Sequence, residues 1–187
     1  MIKMSWSRKL FLKINSHVGK NPTLDHVMRF ASSSLILFFG FFVLVWAQVA
    51  LEPVSFKLFV KMLLTALAFG LGFNWALGLV WRHPRPIVEF PNIKTLSHTL
   101  TTFKSFPSDH ATMSFILFFM TVIFGASFWL IILFLCCAVT VSVGRVYCGV
   151  HYPRDIVGGL VFASIMAICA GWVLSNITQP IYGLLIK

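Results

Sequence analysis

Three short clusters of ionisable side chains stand at the ends of long apolar runs. The clusters are WRHPRP at 81–86, PSDH at 107–110 and RVYCGVHYPRD at 145–155. Ionisable groups at the point where a chain enters an apolar run need a reason, and such clusters are candidates for a functional site. The chemistry that they can perform follows from their residue types and spacing.

Histidine and aspartate in the third cluster are spaced for nucleophilic catalysis. Asp155 follows His151 by four residues, close enough for its carboxylate to accept a hydrogen bond from one ring nitrogen. This hydrogen bond would fix the tautomer and leave the other ring nitrogen free as a nucleophile. Pro153 is typical of the first turn of a helix, which places Asp155 near the third helical position.

The other clusters supply groups that bind and protonate phosphate. Ser108 precedes an apolar run and is typical of an N-cap, after which the backbone N–H groups of a helix bind anions. Arg85 and Arg145 carry planar, permanently charged guanidinium groups that match phosphate oxygens. His110 is suited to protonate a departing oxygen. Together with the histidine–aspartate pair, these residues predict a metal-free site for phosphoryl transfer.

Each of these residues also has an ordinary explanation when it is taken alone. An arginine at a helix end extends to the headgroup layer, Ser108 can be a simple cap, and Asp155 can complement a helix dipole. The joint occurrence favours a site, because each cluster supplies a group that the others lack. Three residues of the loop between the second and third apolar runs are interpreted instead as solvated or headgroup-facing: Lys94, His98 and Lys104.

The elements that position these clusters are predicted to be membrane-spanning helices. Of the 187 residues, 58% are hydrophobic and 11% are charged, and the mean hydropathy is +0.89. A soluble domain would need far more polar surface. A spanning helix needs roughly 20 apolar residues, and five runs have about this length: 30–51, 56–81, 110–126, 128–147 and 156–175. The sequence therefore predicts an all-α integral membrane bundle, with one membrane domain at 30–187.

The N-terminal segment, residues 1–29, has a different character. It mixes basic side chains with Trp6, Leu10 and Phe11, which predicts an amphipathic helix in the headgroup layer rather than a span or a signal peptide. The net charge of +10 indicates attraction to anionic lipid, and no nucleic-acid module is present. The four cysteines form no CxxC pair, so neither a zinc site nor a disulfide framework is predicted.

The order of the five predicted spans determines which clusters share a side of the membrane. The end of the second span, the start of the third, the end of the fourth and the start of the fifth all lie on one side. The first two clusters fall at the first two of these points, and the third cluster connects the last two. We therefore expect the three clusters to meet in a single site.

Taken in order along the chain, the clusters resemble the motifs of the type 2 phosphatidic acid phosphatase superfamily of membrane lipid phosphatases. The family motifs are K-x6-R-P, P-S-G-H and S-R-x5-H-x3-D. In this chain they read RP at 85–86, PSDH at 107–110 and RVYCGVHYPRD at 145–155. Three linked motifs in the family order are far more specific than any one of them alone.

The resemblance implies a role for each matching residue. His151 would attack phosphorus and become a phosphohistidine, and Asp155 would orient it. His110 would protonate the leaving group and then activate water. The residues that would hold the phosphoryl oxygens are Arg85, Arg145 and Ser108. No cofactor and no metal is expected with this set of residues.

Three positions depart from the family pattern. Gly78 stands where the lysine of the first motif would fall, and Arg82, one helical turn further on, is the candidate for the missing charge. Asp109 replaces the glycine of the second motif, and this second carboxylate is expected either to alter a nearby histidine pKa or to position water. Gly144 replaces the serine that precedes Arg145.

The first two departures, with HPRP and FPSDH, resemble the bacitracin-resistance type of undecaprenyl-diphosphate phosphatase, which recycles the lipid carrier of cell-wall synthesis. Lipid A phosphatases and phosphatidylglycerophosphate phosphatases would use the same catalytic residues. A protein that binds or translocates a phospholipid headgroup without chemistry is the alternative of another class. The complete histidine–aspartate spacing favours an enzyme with a polyprenyl or other phospholipid substrate.

Membrane orientation is predicted differently by two arguments. The basic N-terminal segment lies on the same side as the clusters, and positive-inside reasoning would place that side in the cytoplasm. The resemblance implies a bacterial inner-membrane protein whose site faces the periplasm or cell exterior. We adopt the second orientation as the prediction, because several of the counted charges belong to the site itself.

Overall fold

The computed structural model of this protein describes residues 4–185, and these residues form helices joined by loops. Residues 1–3 of the predicted N-terminal segment and residues 186–187 of the predicted membrane domain lie outside the described part. The helices are α1 Trp6–Asn15, α2 Pro22–Ser33, α3 Leu35–Ala50, α4 Pro53–Val80, α5 Pro86–Glu89, α6 Asp109–Ile123, α7 Phe128–Tyr147, α8 Pro153–Val173 and α9 Gln179–Leu185, with a π-helical segment Leu174–Thr178 between α8 and α9.

The predicted all-α membrane bundle is confirmed. Three helical segments of the described residues are long and apolar enough to cross a membrane: α4, α7 and the continuous stretch Pro153–Leu184. Helices α2 and α3 meet the same requirement together, although they are bent by 54°. The helix found at the predicted span 110–126 is α6, which is apolar but has only 15 residues.

The first predicted span, 30–51, covers the end of α2 and the whole of α3. Helix α2 begins at Pro22, where the Asn21 side chain accepts a hydrogen bond from the Leu24 N–H at 3.2 Å. An asparagine N-cap followed by proline at the first helical position is a strong start signal. The chain then bends at Ser34, the last of three consecutive serines. The proposed division at 29/30 therefore falls inside α2.

Helix α6 lies at the centre of the bundle, packed against α3, α4, α7 and α8. Most of its side chains are buried, and Ala111, Ile116 and Met120 are inaccessible to solvent. Because protein surrounds α6, its short length is compatible with a position in the bundle interior. Its N-terminus is held at the same end of the bundle as the C-termini of α4 and α7 and the N-terminus of α8.

The N-terminal helix α1 packs on that same end of the bundle. Phe11 is fully buried against Val146 and Tyr152, whereas Trp6 and Leu10 are exposed. This is the two-faced arrangement expected of an amphipathic helix. One face of α1 is therefore part of the folded bundle.

The loop between α4 and α6 folds back beside its own start. The Ser105 N–H donates to the His83 carbonyl at 2.8 Å, and the Arg85 N–H donates to the Thr102 carbonyl at 3.0 Å. A single parallel bridge joins His83 to Lys104. These main-chain contacts bring the second half of the loop against the end of α4.

Candidate active site

The three ionisable clusters border one cavity of about 410 Å³ at this end of the bundle. Its apolar wall includes Leu71 and Trp75 of α4 and Met113 of α6. The charged and imidazole side chains that border it include Arg85, Lys104, Asp109, His110, Arg145 and His151. Three fixed cations against one carboxylate make the cavity electropositive, which suits an anion.

His151 lies buried at the cavity wall, just before α8. Its Nε2 atom is 3.0 Å from Nη1 of Arg85, and its Nδ1 atom is 3.5 Å from Oδ2 of Asp155. Because a guanidinium only donates, Nε2 accepts and the ring proton belongs on Nδ1, facing the carboxylate. Burial, together with the charges of Arg85 and Arg145, lowers the pKa of His151 to about 3, against the opposing effect of Asp155. The imidazole is therefore neutral at pH 7, as a nucleophile must be.

Asp155 is fully buried and is fixed by its own hydrogen bonds. Its Oδ2 atom accepts from the Ser105 hydroxyl at 2.5 Å and from the Tyr152 N–H at 2.8 Å. The second contact is that of a carboxylate at the third helical position reaching back to the N-cap residue, as the predicted start of α8 at Pro153 implies. At 3.5 Å the contact with His151 is longer than a good hydrogen bond. Ser105 had not been predicted from sequence.

Arg85 is buried and held by the backbone of two loops. Its Nε atom donates to the Thr101 carbonyl at 2.6 Å, and Nη1 donates to the Val150 carbonyl at 2.8 Å. The same Nη1 contacts Nε2 of His151. The guanidinium therefore lies directly beside the nitrogen that would attack phosphorus.

Arg145, near the end of α7, is anchored by the end of α2. Its Nη1 atom donates to the Ser32 carbonyl at 3.0 Å and is 3.3 Å from the Ser32 hydroxyl. The last carbonyls of a helix lack partners within it, and an arginine satisfies them well. The glycine at 144 permits this contact, because a Cβ there would lie 2.8 Å from the Ser32 backbone nitrogen.

The second cluster forms the N-terminus of α6. Ser108 caps the helix as predicted: its hydroxyl accepts from the Ala111 N–H at 3.4 Å. Its own N–H donates to the Asp155 carbonyl at 3.1 Å, which joins the starts of α6 and α8. Ser108 is fully buried, so its observed role is to fix the helix start. His110 is half-buried and borders the cavity beside Arg145 and His151.

Arg82 does not contribute to this cavity, contrary to the suggestion that it replaces the missing lysine. Its side chain is exposed, and the guanidinium carbon lies 5.3 Å from the centre of the Phe103 ring. Arg82 follows the end of α4, where the chain leaves the helix, so helical spacing no longer determines its direction. It therefore stacks on the loop instead of entering the site.

Lys104 was expected to be solvated and is instead the most deeply buried lysine among the described residues. Its side chain is 1% exposed, and Nζ donates to both carboxylate oxygens of Asp109 at 2.7 Å. Burial lowers the pKa of Lys104, and Asp109 acts in the opposite direction. Buried Asn74 also donates to Asp109, at 3.2 Å. His98, expected to face headgroups or water, borders the same cavity.

Comparison with known proteins identifies what this arrangement is similar to. Residues 59–179 match the model of the PAP2 superfamily. The "Putative undecaprenyl-diphosphatase YbjG" of Escherichia coli (strain K12) is 31% identical over 164 residues, which cover 86% of this chain and 79% of that protein. The undecaprenyl-diphosphatase BcrC of Bacillus subtilis (strain 168) is 27% identical over 184 residues, which cover 96% of this chain and 89% of that protein. The crystal structure of Aquifex aeolicus LpxE has the same fold, with a TM-score of 0.70 and 23% identity, covering 90% of this chain and 96% of that one.

Proposed function

The chain belongs to the PAP2 superfamily, and we propose that it is a membrane lipid phosphatase that converts undecaprenyl diphosphate to undecaprenyl phosphate and inorganic phosphate. The observation that carries this proposal is the neutral, oriented imidazole of His151 beside Arg85, in a cavity that Arg145 and His110 also border. The choice of lipid rests on the undecaprenyl-diphosphatase relatives.

The proposed reaction begins with displacement of a guanidinium contact. Phosphate oxygens form stronger hydrogen bonds with Arg85 than a neutral imidazole does, so substrate binding frees the Nε2 lone pair of His151. Nε2 then attacks the terminal phosphorus in line with the bridging oxygen. As the N–P bond forms, the P–O bond to undecaprenyl phosphate breaks. His110, which takes up a proton from solvent when the phosphate anion binds beside it, transfers that proton to the departing oxygen.

The second half of the proposed reaction is hydrolysis of the phosphohistidine. His110, now neutral, takes a proton from water while the water oxygen attacks phosphorus. The N–P bond breaks, inorganic phosphate leaves and His151 regains its neutral form. Arg85 and Arg145 hold the equatorial oxygens throughout, which supplies the positive charge that stabilises the transition state. We propose that the reaction needs no metal, because these arginines supply that charge.

The test is phosphate release from undecaprenyl diphosphate by the purified protein in detergent with EDTA present. We expect release by the wild type, its loss in His151→Ala, and its retention in His17→Ala, which removes an exposed histidine bonded only to a backbone carbonyl. The same assay is run on lipid A and on phosphatidylglycerol phosphate. Release from only one of those lipids rejects the proposed substrate, and activity that survives His151→Ala rejects the nucleophile.

We also propose that the site faces the periplasm or cell exterior of a bacterial inner membrane. Val54 lies exposed in the first turn of α4, and Asn92 lies exposed beyond the other end of that helix, so a single cysteine at each position reports opposite sides. In a chain without its native cysteines, an impermeant thiol reagent added to intact cells should label Asn92→Cys and spare Val54→Cys. The reverse pattern places the site in the cytoplasm.

A further inference from the structure

Lys104 occupies space that exists only because residue 78 has no side chain. A Cβ added to Gly78 would lie 2.6 Å from Cγ, 2.8 Å from Cδ and 3.2 Å from Cε of Lys104. The first two distances are too short for non-bonded carbon atoms and the third is tight, and Gly78 is buried within α4. The lysine therefore lies flat across the helix at this glycine, held in place by the bridge between residues 83 and 104.

The ammonium group of Lys104 pairs with a single carboxylate. This ammonium group donates to both oxygens of Asp109 at 2.7 Å and lies 5.2 Å from the centre of the Trp75 ring. Asn74 donates to the same carboxylate from α4. Asp109 itself is 25% exposed and borders the cavity, so it is the carboxylate that an entering phosphate would meet.

A free carboxylate at this position would oppose anion binding. Like charges repel across a cavity of this size, and the repulsion is stronger where burial reduces screening by water. With Lys104 paired to Asp109, their charges cancel, and the remaining fixed charges at the cavity are Arg85 and Arg145. That pair of positive charges is the complement of a phosphate dianion.

We propose that Lys104 is a positioning residue that neutralises and holds Asp109 so that the cavity accepts a phosphoryl group, and that Gly78 leaves the space it needs. This inference rests on the proposed function, because the phosphoryl group is taken to be that of the substrate. The first motif lacks its lysine at position 78, and Lys104 brings a cation to the same place from the loop before α6.

The test compares Lys104→Met with Lys104→Met/Asp109→Asn. Binding of inorganic phosphate is measured by calorimetry, and phosphate release from undecaprenyl diphosphate gives kcat and KM. We expect Lys104→Met to weaken phosphate binding and raise KM by about tenfold or more, with a smaller change in kcat. Adding Asp109→Asn should return the phosphate affinity and KM to within about threefold of the wild-type values. The matched control, Lys94→Met, removes the same charge from the same loop outside the cavity and should change neither.

A second pair of variants tests the space rather than the charge. Gly78→Ala should weaken phosphate binding, because its Cβ collides with the Lys104 side chain. In Gly78→Lys/Lys104→Ala, the new side chain starts beside the path that Lys104 vacates and should reach Asp109, so phosphate binding should lie close to that of the wild type. This double variant decides the question if Lys104→Met does not fold, as thermal unfolding would show.

The proposal is overturned if Lys104→Met binds phosphate as the wild type does. It is also overturned if a folded Lys104→Met/Asp109→Asn protein binds phosphate as weakly as Lys104→Met does. The lysine would then not act through Asp109. Failure of the proposed function has a different signature. A wild type that binds inorganic phosphate but releases none from undecaprenyl diphosphate rejects that substrate, while the calorimetric comparison of variants still tests Lys104.

Discussion

Replacing Gly159 by alanine should separate the two helices that begin at the active site. A Cβ at Gly159 of α8 would lie 2.8 Å from the Ala111 Cβ, 3.0 Å from the Ser108 carbonyl oxygen and 3.1 Å from the Thr112 nitrogen of α6. None of these atoms belongs to a side chain that can rotate away. One of the two helices must therefore shift by several tenths of an ångström. Gly171, further along α8, offers a matched control, because its Cβ would meet only the flexible Met62 Cε atom, at 3.7 Å.

The expected magnitude follows from the difference between these two sites. Each substitution gains about 1 kcal/mol from the better helix propensity of alanine. Overpacking against rigid atoms costs roughly 1–3 kcal/mol, and only Gly159→Ala incurs this cost. The propensity gain is common to both variants, so Gly159→Ala should be less stable than Gly171→Ala by about 1–3 kcal/mol. For a chain of this length, that corresponds to roughly 2–12 °C in Tm.

The assay is thermal unfolding in detergent followed by circular dichroism, together with phosphate release. Because α6 carries His110 and α8 carries Asp155, we expect Gly159→Ala to lose at least about tenfold in kcat/KM, whereas Gly171→Ala stays within about twofold of the wild type. Equal melting temperatures and equal activities for the two variants would refute the reasoning. They would show that α6 and α8 are not in the close contact from which both effects are calculated.

Three further predictions concern the charged residues around the cavity. Arg85→Ala should lower kcat/KM by about a hundredfold or more, whereas Arg82→Ala, at an exposed site, should lower it less than about twofold when phosphate release is assayed. The buried His151 has a pKa of about 3, below its ordinary value of 6.5. The wild type should therefore lose stability relative to His151→Gln as the pH falls from 6.5 towards 3. Denaturant titrations should show a loss of at most about 1.4 kcal/mol per pH unit. Arg8 forms a bidentate ion pair with Glu89, at 2.8 and 2.9 Å. Because the Arg8 side chain is 35% exposed, a double-mutant cycle should measure a coupling free energy of only about 1 kcal/mol. A coupling free energy of zero would show that the pair does not hold α1.

The features that could be predicted from sequence are those whose signals lie in consecutive residues. The apolar run 128–147 coincides with α7, and Ser108 and Pro153 mark the starts of α6 and α8 as their residue types indicate. The convergence of the three clusters was also predictable, because the order of helices through a bilayer determines which loops share a side. The bend at Ser34 was not, because three serines permit a bend without requiring one.

The loop before α6 contains what sequence alone did not reveal. A lysine at position 104 reads as a solvated charge, and its burial depends on backbone pairing with residue 83 and on the missing side chain at Gly78, both distant in sequence. Ser105 likewise becomes a partner of Asp155 only after the loop has folded back. A motif specifies a residue at a position in the chain, whereas the cavity requires a charge at a position in space. A glycine in place of a motif lysine therefore raises the question of which other segment fills the volume that the absent side chain leaves. In this protein Lys104 fills that volume.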